Sequence, residues 1–219
     1  MSPRIVHTSA PARLTLDNAR TVRDRGSTRS AMTEVLLFHH AHGQTAGFLA
    51  FADELRTAGH VVHTPDLYEG ATFSDLADGV NYAEQVGFDT IVQRGVEASE
   101  GLRPGIVYAG FSLGTLPAQM LTQTREGALG ALLLHGCAPT SEFGAPWPES
   151  VPLQIHSMEA DEWFELDVAR ELVDEIPRAQ LFLYPGQGHL FADTSLSDFD
   201  EEAAALLNER IRAFLDAVG

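Results

Sequence analysis

The chain has no lysine, a single cysteine and no long apolar run, and each shortage excludes a class of protein. All 14 basic residues are arginines. Because Cys137 is the only cysteine, an intramolecular disulfide is excluded and nothing indicates an oxidising compartment. No apolar stretch approaches the roughly 18 residues that a membrane-spanning helix needs. We therefore expect a cytoplasmic protein that has no membrane partner.

Positive charge is scarce overall, since the 219 residues carry a formal net charge of −17 at pH 7. Nucleic acids and anionic membranes bind cationic groups that displace counterions, so neither partner is expected. Six arginines nevertheless fall within residues 1–31, against only two acids, Asp17 and Asp24. We expect this basic segment to be a disordered extension ahead of one domain over 32–219. Met32 is an alternative start, and the Arg, Ser and Thr content faintly resembles a transit peptide.

Short apolar runs alternate with longer amphipathic stretches from residue 34 onward. The runs that predict strands are 34–40, 60–66, 105–110, 130–136, 152–158 and 179–185. The stretches that predict helices are 46–58, 73–100 with a break near Gly87, 113–124, 163–176 and 197–217. This alternation is typical of an α/β fold, with a mostly parallel sheet and helices on both faces. In such folds the reactive side chains follow the carboxyl ends of the strands.

The sequence GFSLG at 110–114 stands between a predicted strand and a predicted helix. In that context G-x-S-x-G is the pattern of a nucleophile elbow, a turn so sharp that only small residues fit beside the serine. Gly110 and Gly114 satisfy this requirement, and Ser112 is therefore the candidate nucleophile. The alternative is an ordinary glycine-bounded turn.

A serine hydroxyl needs a base to take its proton, and position selects among the nine histidines. His189 lies in the glycine-rich segment YPGQGHLF, directly after the last predicted strand. His135 and His156 fall inside predicted strands, where they are expected to be core residues. We expect His189 to be the base, and its alternative role is that of a surface-loop residue.

The acid that orients such a histidine is expected after the penultimate strand. The segment PLQIHSMEADEWF offers Glu159, Asp161 and Glu162 at that place. Asp161 is the candidate, since it comes as the strand ends, where it can bind the second nitrogen of the histidine. Glu159 is the competitor. Both acids can also be read as solvated carboxylates, or one of them as a helix cap.

Two backbone N–H groups are expected to form an oxyanion hole, at Leu113 after the nucleophile and at Ala41 in the loop HHAHGQTAG. The same loop contains three histidines that could indicate a metal site, His39, His40 and His42. No carboxylate or cysteine is interleaved, and neighbouring residues of a strand point to opposite faces. We therefore expect no metal.

A substrate pocket is expected around the nucleophile. Its candidate walls are His40, Phe111 and Trp163, with Tyr82 as a further aromatic side chain. The competing interpretation is that these aromatic residues belong to the core.

Several segments together resemble the dienelactone hydrolases, a family of the α/β-hydrolase superfamily. LLFHHAHGQTAGF is similar to the first strand and oxyanion loop of that family, AGHVVHTPDLYEG to its PDLY segment, YAGFSLGT to its nucleophile region and YPGQGHLFAD to its histidine loop. The similarity runs through much of residues 34–215. It implies an α/β-hydrolase fold without a cap domain, hydrolysis of small cyclic or linear esters, and no cofactor.

The chain departs from the best-known members of that family at two positions. They have a cysteine where this chain has Ser112 and a glutamate where it has His40, so the thiol mechanism is not carried over. Arg94 is the nearest candidate for an arginine that binds a substrate carboxylate.

The expected function is that of a Ser-His-Asp esterase acting on a small-molecule ester or lactone, as a monomer or small homo-oligomer. Two alternatives stay open. The fold can serve a non-hydrolytic small-molecule-binding protein, and the same three residues can serve an acyltransferase or perhydrolase.

Overall fold

A six-stranded sheet forms the centre of the computed structural model, which describes residues 32–219. The strands are β1 (Glu34–Phe38), β2 (Val61–His63), β3 (Val107–Phe111), β4 (Gly130–Leu134), β5 (Leu153–Met158) and β6 (Ala179–Tyr184). Their order is β2-β1-β3-β4-β5-β6, and every neighbouring pair is parallel. The expectation of a mostly parallel sheet is confirmed. The expected disordered extension covers residues 1–31, which lie outside the described part of the chain.

Six α-helices connect or follow the strands. They are α1 (Ala46–Thr57), α2 (Leu76–Val86), α3 (Phe88–Ser99), α4 (Thr115–Thr124), α5 (Leu166–Glu175) and α6 (Glu201–Val218). Gly87 separates α2 from α3 with a φ of 91°, which is the break that the sequence predicts. Between β4 and β5 the described chain forms only one short 3-10 turn, Thr140–Phe143, and no cap domain.

Each face of the sheet is covered by its own group of helices. Val35 and Leu37 of β1 pack with α1 and α6, for example with Phe48. Leu36 and Phe38 point to the opposite face and pack in the core formed with α2, α3, α4 and α5. Because both faces are buried, the strands read as continuous apolar runs rather than as alternating ones.

The chain leaves the adjacent strands β1 and β3 in opposite directions. After β1 it passes to α1 on one face, and after β3 it passes to α4 on the other. Divergent connections of this kind open a crevice at the carboxyl edge of the sheet, where α/β proteins bind their ligands. The β1–α1 loop and Ser112 both lie at this edge.

Several element boundaries differ from the predicted ones. Helix α5 begins at Leu166 rather than 163, because the Trp163 N–H is taken by the Asp161 carboxylate in a turn, 2.9 Å away. Helix α6 begins only at Glu201, where the Asp200 side chain caps it by accepting from the Ala203 N–H.

The expectation that His135 lies inside a strand is wrong. Strand β4 ends at Leu134, and His135 follows it with a φ of 63°. His156 does lie in β5, as expected. Within residues 32–219, no helix is long and apolar enough to cross a bilayer.

Candidate active site

The turn at Ser112 has the geometry of a nucleophile elbow. Ser112 has a φ of 48°, a left-handed conformation that side-chain-bearing residues rarely adopt. A Cβ on Gly110 would lie 2.0 Å from the Gly114 carbonyl oxygen, and one on Gly114 would lie 2.4 Å from that of Phe38. Both glycines are therefore required, the first to close the turn and the second to seat it against the end of β1.

The structure brings Ser112, His189 and Asp161 together in one chain of hydrogen bonds. Ser112 Oγ lies 2.8 Å from His189 Nε2. His189 Nδ1 lies 2.8 Å from Asp161 Oδ2. A proton on Nδ1 is directed at the carboxylate, so Nε2 is left with a lone pair that can accept the serine proton.

Further hydrogen bonds hold Asp161 in its orientation. Ser157 Oγ donates to Asp161 Oδ2 at 3.1 Å, and the Trp163 N–H donates to Oδ1. Glu159, the competing acid, is exposed and contributes its backbone N–H to the Tyr184 carbonyl. Of the two acids, the structure brings only Asp161 into contact with His189.

Contacts between its backbone and Asp198 hold the loop that carries His189 in place. The His189 N–H donates to Asp198 Oδ2 at 3.0 Å. Gly188 lies so close to the chain that its Cβ would come within 2.8 Å of the Asp198 carbonyl oxygen. The ring of His189 is therefore held by Ser112 and Asp161, and its backbone by Asp198.

Ala41 lies in a tight turn after β1. The Gly43 N–H donates to the His40 carbonyl at 2.9 Å, and the His42 N–H donates to His40 Nδ1 at 3.2 Å. Gly79 of α2 supports the turn, since its Cβ would lie 2.0 Å from the Ala41 carbonyl oxygen. Because Gly114 lies against the His39 carbonyl, the turn and the elbow that carries Leu113 are neighbours.

Asp193 is a residue of this region to which the sequence assigns no role. Its carboxylate is completely buried and accepts hydrogen bonds from His40 Nε2 at 2.8 Å, from Ser195 and from Thr45. It follows His189 by four residues in the segment YPGQGHLFAD, and this proximity is the only sequence signal. Asp193 thus joins the histidine loop to the loop after β1.

Burial and hydrogen bonding set the protonation of this pair. Burial raises the pKa of Asp193, but the hydrogen bonds from His40, Ser195 and Thr45 together hold it well below its usual value. Burial lowers the pKa of His40 despite the carboxylate beside it. His40 is therefore neutral, with Nδ1 accepting from His42 and Nε2–H donating to Asp193.

His135 is fully buried beside His189, with their ring centroids 6.3 Å apart. Neither ring nitrogen of His135 has a hydrogen-bond partner among the described residues. Burial holds the pKa of His135 well below 6.5, so the ring is neutral. It packs between Phe111 and Phe191 as an apolar side chain would.

The three predicted pocket walls occupy different environments. Trp163 is 55% exposed and lies 6.0 Å from the His189 ring, beside a hollow of about 310 Å³ that both residues line. His40 and Phe111 are instead completely buried. The expectation that these two line a pocket is corrected, because they pack beneath the site. Tyr82 joins an aromatic cluster with Tyr68 and Phe73.

The histidines after β1 are each engaged within the protein. His39 Nδ1 donates to the His40 carbonyl, and its Nε2 accepts from the Leu67 N–H. His42 Nδ1 bonds to the Phe73 carbonyl at 2.9 Å. Across residues 32–219 no group of three or more His, Cys, Asp or Glu side chains is arranged to hold a metal ion.

The sequence profile of the dienelactone hydrolase family matches residues 25–219. The chain belongs to the dienelactone hydrolase family. The predicted resemblance is thereby confirmed, and the protein is a hydrolase of the dienelactone hydrolase type. A search of curated proteins finds no significant match.

Solved structures share the fold of this dienelactone hydrolase family member at low identity. A dienelactone hydrolase-like promiscuous phosphotriesterase from metagenomic libraries has a TM-score of 0.63 at 15% identity, covering 85% of this chain and 86% of that one. Mouse alpha/beta hydrolase domain-containing protein 10 has a TM-score of 0.63 at 13% identity, covering 85% and 90%. A thioesterase domain from the curacin biosynthetic pathway has a TM-score of 0.57 at 12% identity, covering 83% and 91%. The predicted α/β-hydrolase fold is confirmed.

Proposed function

We propose that the protein hydrolyses small carboxylic esters or lactones through an acyl-enzyme formed on Ser112. The observation that carries the proposal is the continuous hydrogen-bonded chain from Ser112 through His189 to Asp161. It begins on a strained turn at the carboxyl edge of the sheet, between the diverging connections of β1 and β3.

The first half of the reaction transfers the acyl group to the enzyme. His189 Nε2 takes the proton of Ser112 Oγ while the oxygen attacks the ester carbonyl. The N–H groups of Ala41 and Leu113 stabilise the negative charge on the carbonyl oxygen. His189 then gives its proton to the departing alkoxide, so that the alcohol leaves and the acyl group stays on Ser112.

The second half regenerates the enzyme. Water loses a proton to His189 Nε2 and attacks the acyl-enzyme, and the same proton returns to Ser112 Oγ as the acid departs. Asp161 stays ionised throughout and stabilises the imidazolium form of His189. Its bonds from Ser157 and the Trp163 N–H keep it aimed at Nδ1.

The surroundings of the site favour a neutral substrate. The hollow beside His189 is also lined by Glu162 and Asp198, which disfavour an anionic group there. Arg94, the candidate for binding a substrate carboxylate, is engaged with the Leu67 carbonyl at 2.7 Å and with Glu69 at 2.9 Å. An uncharged ester therefore fits this chain better than a dienelactone that carries a carboxylate.

Hydrolysis of p-nitrophenyl acetate by the wild type and by Ser112→Ala tests the proposal. We expect kcat/KM to fall by about 1,000-fold or more in the variant, and a fluorophosphonate to label the wild type only. Ser141→Ala, a matched change on the exposed 3-10 turn, should keep both activities.

Other outcomes separate the alternative functions. A wild type that neither turns over the ester nor reacts with the fluorophosphonate contradicts the proposal and indicates a binding protein. Faster product formation with an added alcohol, amine or peroxide, together with the corresponding acylated product, indicates an acyltransferase or perhydrolase.

A further inference from the structure

The hollow beside His189, of about 310 Å³, lies where the chain leaves β5 and β6. Ligand sites in proteins begin at about 300 Å³, so this one has room for a small group. Its walls include the indole of Trp163, the carboxylates of Glu162 and Asp198 and the amide of Gln187. Among the described residues, no lysine or arginine lines it.

Trp163 lies outside the core of the protein. It is 55% exposed, whereas the other tryptophan, Trp147, is buried and donates its indole N–H to the Val151 carbonyl at 2.8 Å. The Trp163 backbone N–H donates to Asp161 Oδ1 at 2.9 Å, and its ring lies 6.0 Å from the His189 ring. The indole is therefore held beside the proposed base and is accessible to a ligand.

The proposed mechanism requires the alcohol part of the ester to lie at the same histidine ring. His189 Nε2, which is 2.8 Å from Ser112 Oγ, gives its proton to the departing alkoxide. That oxygen must lie within hydrogen-bond distance of Nε2, roughly 3 Å. Because Trp163 lies beside the ring that carries Nε2, a group a few bonds beyond the alkoxide oxygen can reach the indole.

We propose that Trp163 and the hollow beside His189 bind the alcohol part of the ester, and that this part carries a positively charged ammonium group. The inference rests on the proposed function of Ser112. A cation is attracted to the face of an aromatic ring, most strongly to that of tryptophan. Glu162 and Asp198 add negative charge at the same place. These two carboxylates, which disfavour an anionic group, therefore favour a cationic alcohol part over a neutral one.

The reaction itself does not cancel this attraction. His189 becomes positively charged when it takes the proton of Ser112, but Asp161 lies 2.8 Å from its Nδ1 and pairs with that charge. The charges of Glu162 and Asp198 are in addition to that pair.

A matched pair of acetate esters tests the inference. Acetylcholine and 3,3-dimethylbutyl acetate share their acyl group, and their alcohol parts have nearly the same shape. The first ends in a trimethylammonium group and the second in an uncharged tert-butyl group. The two esters differ in intrinsic reactivity, so the quantity to compare is the ratio of their kcat/KM values between variants, in which that difference cancels.

Trp163→Leu removes the aromatic face but keeps the backbone N–H that donates to Asp161. It should lower the ratio of kcat/KM for acetylcholine to that for the neutral ester by about threefold. Trp163→Phe keeps an aromatic face and should retain most of the ratio. Tetramethylammonium should inhibit hydrolysis of the neutral ester by the wild type, and should inhibit Trp163→Leu more weakly.

Glu162→Gln removes one negative charge from the hollow and should lower the same ratio by about twofold. This effect should decrease in about 1 M sodium chloride, which screens exposed charges. Glu171→Gln is the matched control, since Glu171 is an exposed acid on α5 that does not line the hollow. It should keep the wild-type ratio.

The outcomes separate this inference from the function on which it rests. If p-nitrophenyl acetate is hydrolysed in a Ser112-dependent manner while the ratio is the same in wild type, Trp163→Leu and Glu162→Gln, the cation site is overturned and the esterase stands. Equal losses in Glu162→Gln and Glu171→Gln also overturn it, because the overall charge of the protein would then be the cause. If no ester is hydrolysed, both fail.

Discussion

His40 Nε2 and Asp193 Oδ2 form a 2.8 Å hydrogen bond between two completely buried side chains that are 153 residues apart. The bond joins the turn that carries Ala41 to the loop that carries His189. Under the proposed mechanism it sets the position of an oxyanion donor relative to the base. His40 and Asp193 are therefore positioning residues, which touch no reacting atom.

Replacing Asp193 with asparagine should lower both stability and kcat. The carboxylate accepts four hydrogen bonds on two oxygens, and an amide would direct N–H groups at some of those donors. Loss of a buried hydrogen bond to a charged group costs about 2 to 3 kcal/mol. We expect urea denaturation to show a free energy of unfolding that is lower by this amount. We also expect kcat to fall by a larger factor than KM changes.

Asp53→Asn is the control for that change, since Asp53 pairs with Arg56 at an exposed position. Exposed pairs contribute little, so this variant should unfold like the wild type. A stable Asp193→Asn protein with unaltered kcat would show that the bond between the two loops positions nothing.

Asp161→Asn should lower kcat by about three to four orders of magnitude without unfolding the protein. An asparagine amide favours the tautomer of His189 that carries its proton on Nε2, and that tautomer cannot accept the serine proton. Glu159→Gln removes the same charge two residues away, on an exposed side chain, and should retain activity. Equal losses in the two variants would mean that general electrostatics, and not the Nδ1 contact, matters.

The free energy of unfolding should decrease as the pH falls from 6.5 to 4. Burial lowers the pKa of His39 to about 4 and that of His156 to about 3, so the unfolded chain takes up protons in this range that the folded protein does not. At about 1.4 kcal/mol per pKa unit, each histidine contributes a loss of about 3 kcal/mol. Well above pH 6.5 both are neutral in both states, and this contribution is constant.

Urea denaturation followed by circular dichroism between pH 4 and 7 measures this dependence. His39→Gln keeps a donor for the His40 carbonyl and an acceptor for the Leu67 N–H, and should make the slope less steep, because it removes one of the buried histidines whose pKa is lowered. Stability that is independent of pH between 6.5 and 4 would contradict the prediction.

His135→Met should raise the melting temperature. Neither buried ring nitrogen of His135 has a partner among the described residues, and each unsatisfied polar group costs about 1 to 3 kcal/mol. Methionine is of similar size, unbranched and apolar. His156→Met is the matched control and should destabilise, because it removes hydrogen bonds to Tyr184 and Gln154. Calorimetry measures the melting temperature of both variants. A lower melting temperature for His135→Met than for the wild type would contradict the prediction.

Local patterns in the sequence were sufficient for the architecture. A buried strand must be apolar on both faces and an amphipathic helix must repeat every three to four residues, so the six strands and the helix break at Gly87 could be predicted. Exact boundaries depended on side-chain contacts that compete with the helix, as the bond from the Trp163 N–H to Asp161 shows. The displaced start of α5 is explained in this way.

The elbow could also be predicted, because its requirements lie within five consecutive residues. Gly110 and Gly114 are small for steric reasons that any sharp turn imposes around Ser112. Serine, acid and histidine follow one another in this order along the chain, each after a strand. This order narrowed the candidates for the base and the acid to a few residues. At that level Asp161 and Glu159 were still both candidates.

Only the tertiary structure decided which of these candidates meet. Ser112 and His189 are 77 residues apart and His189 and Asp161 are 28 apart, and their contacts depend on strand register and loop path. The same holds for the His40–Asp193 bond and for the ring of His135, which has no hydrogen-bond partner among the described residues. Residue type and periodicity are local properties of the chain, whereas hydrogen bonding and burial depend on distances that exist only after the sheet has assembled.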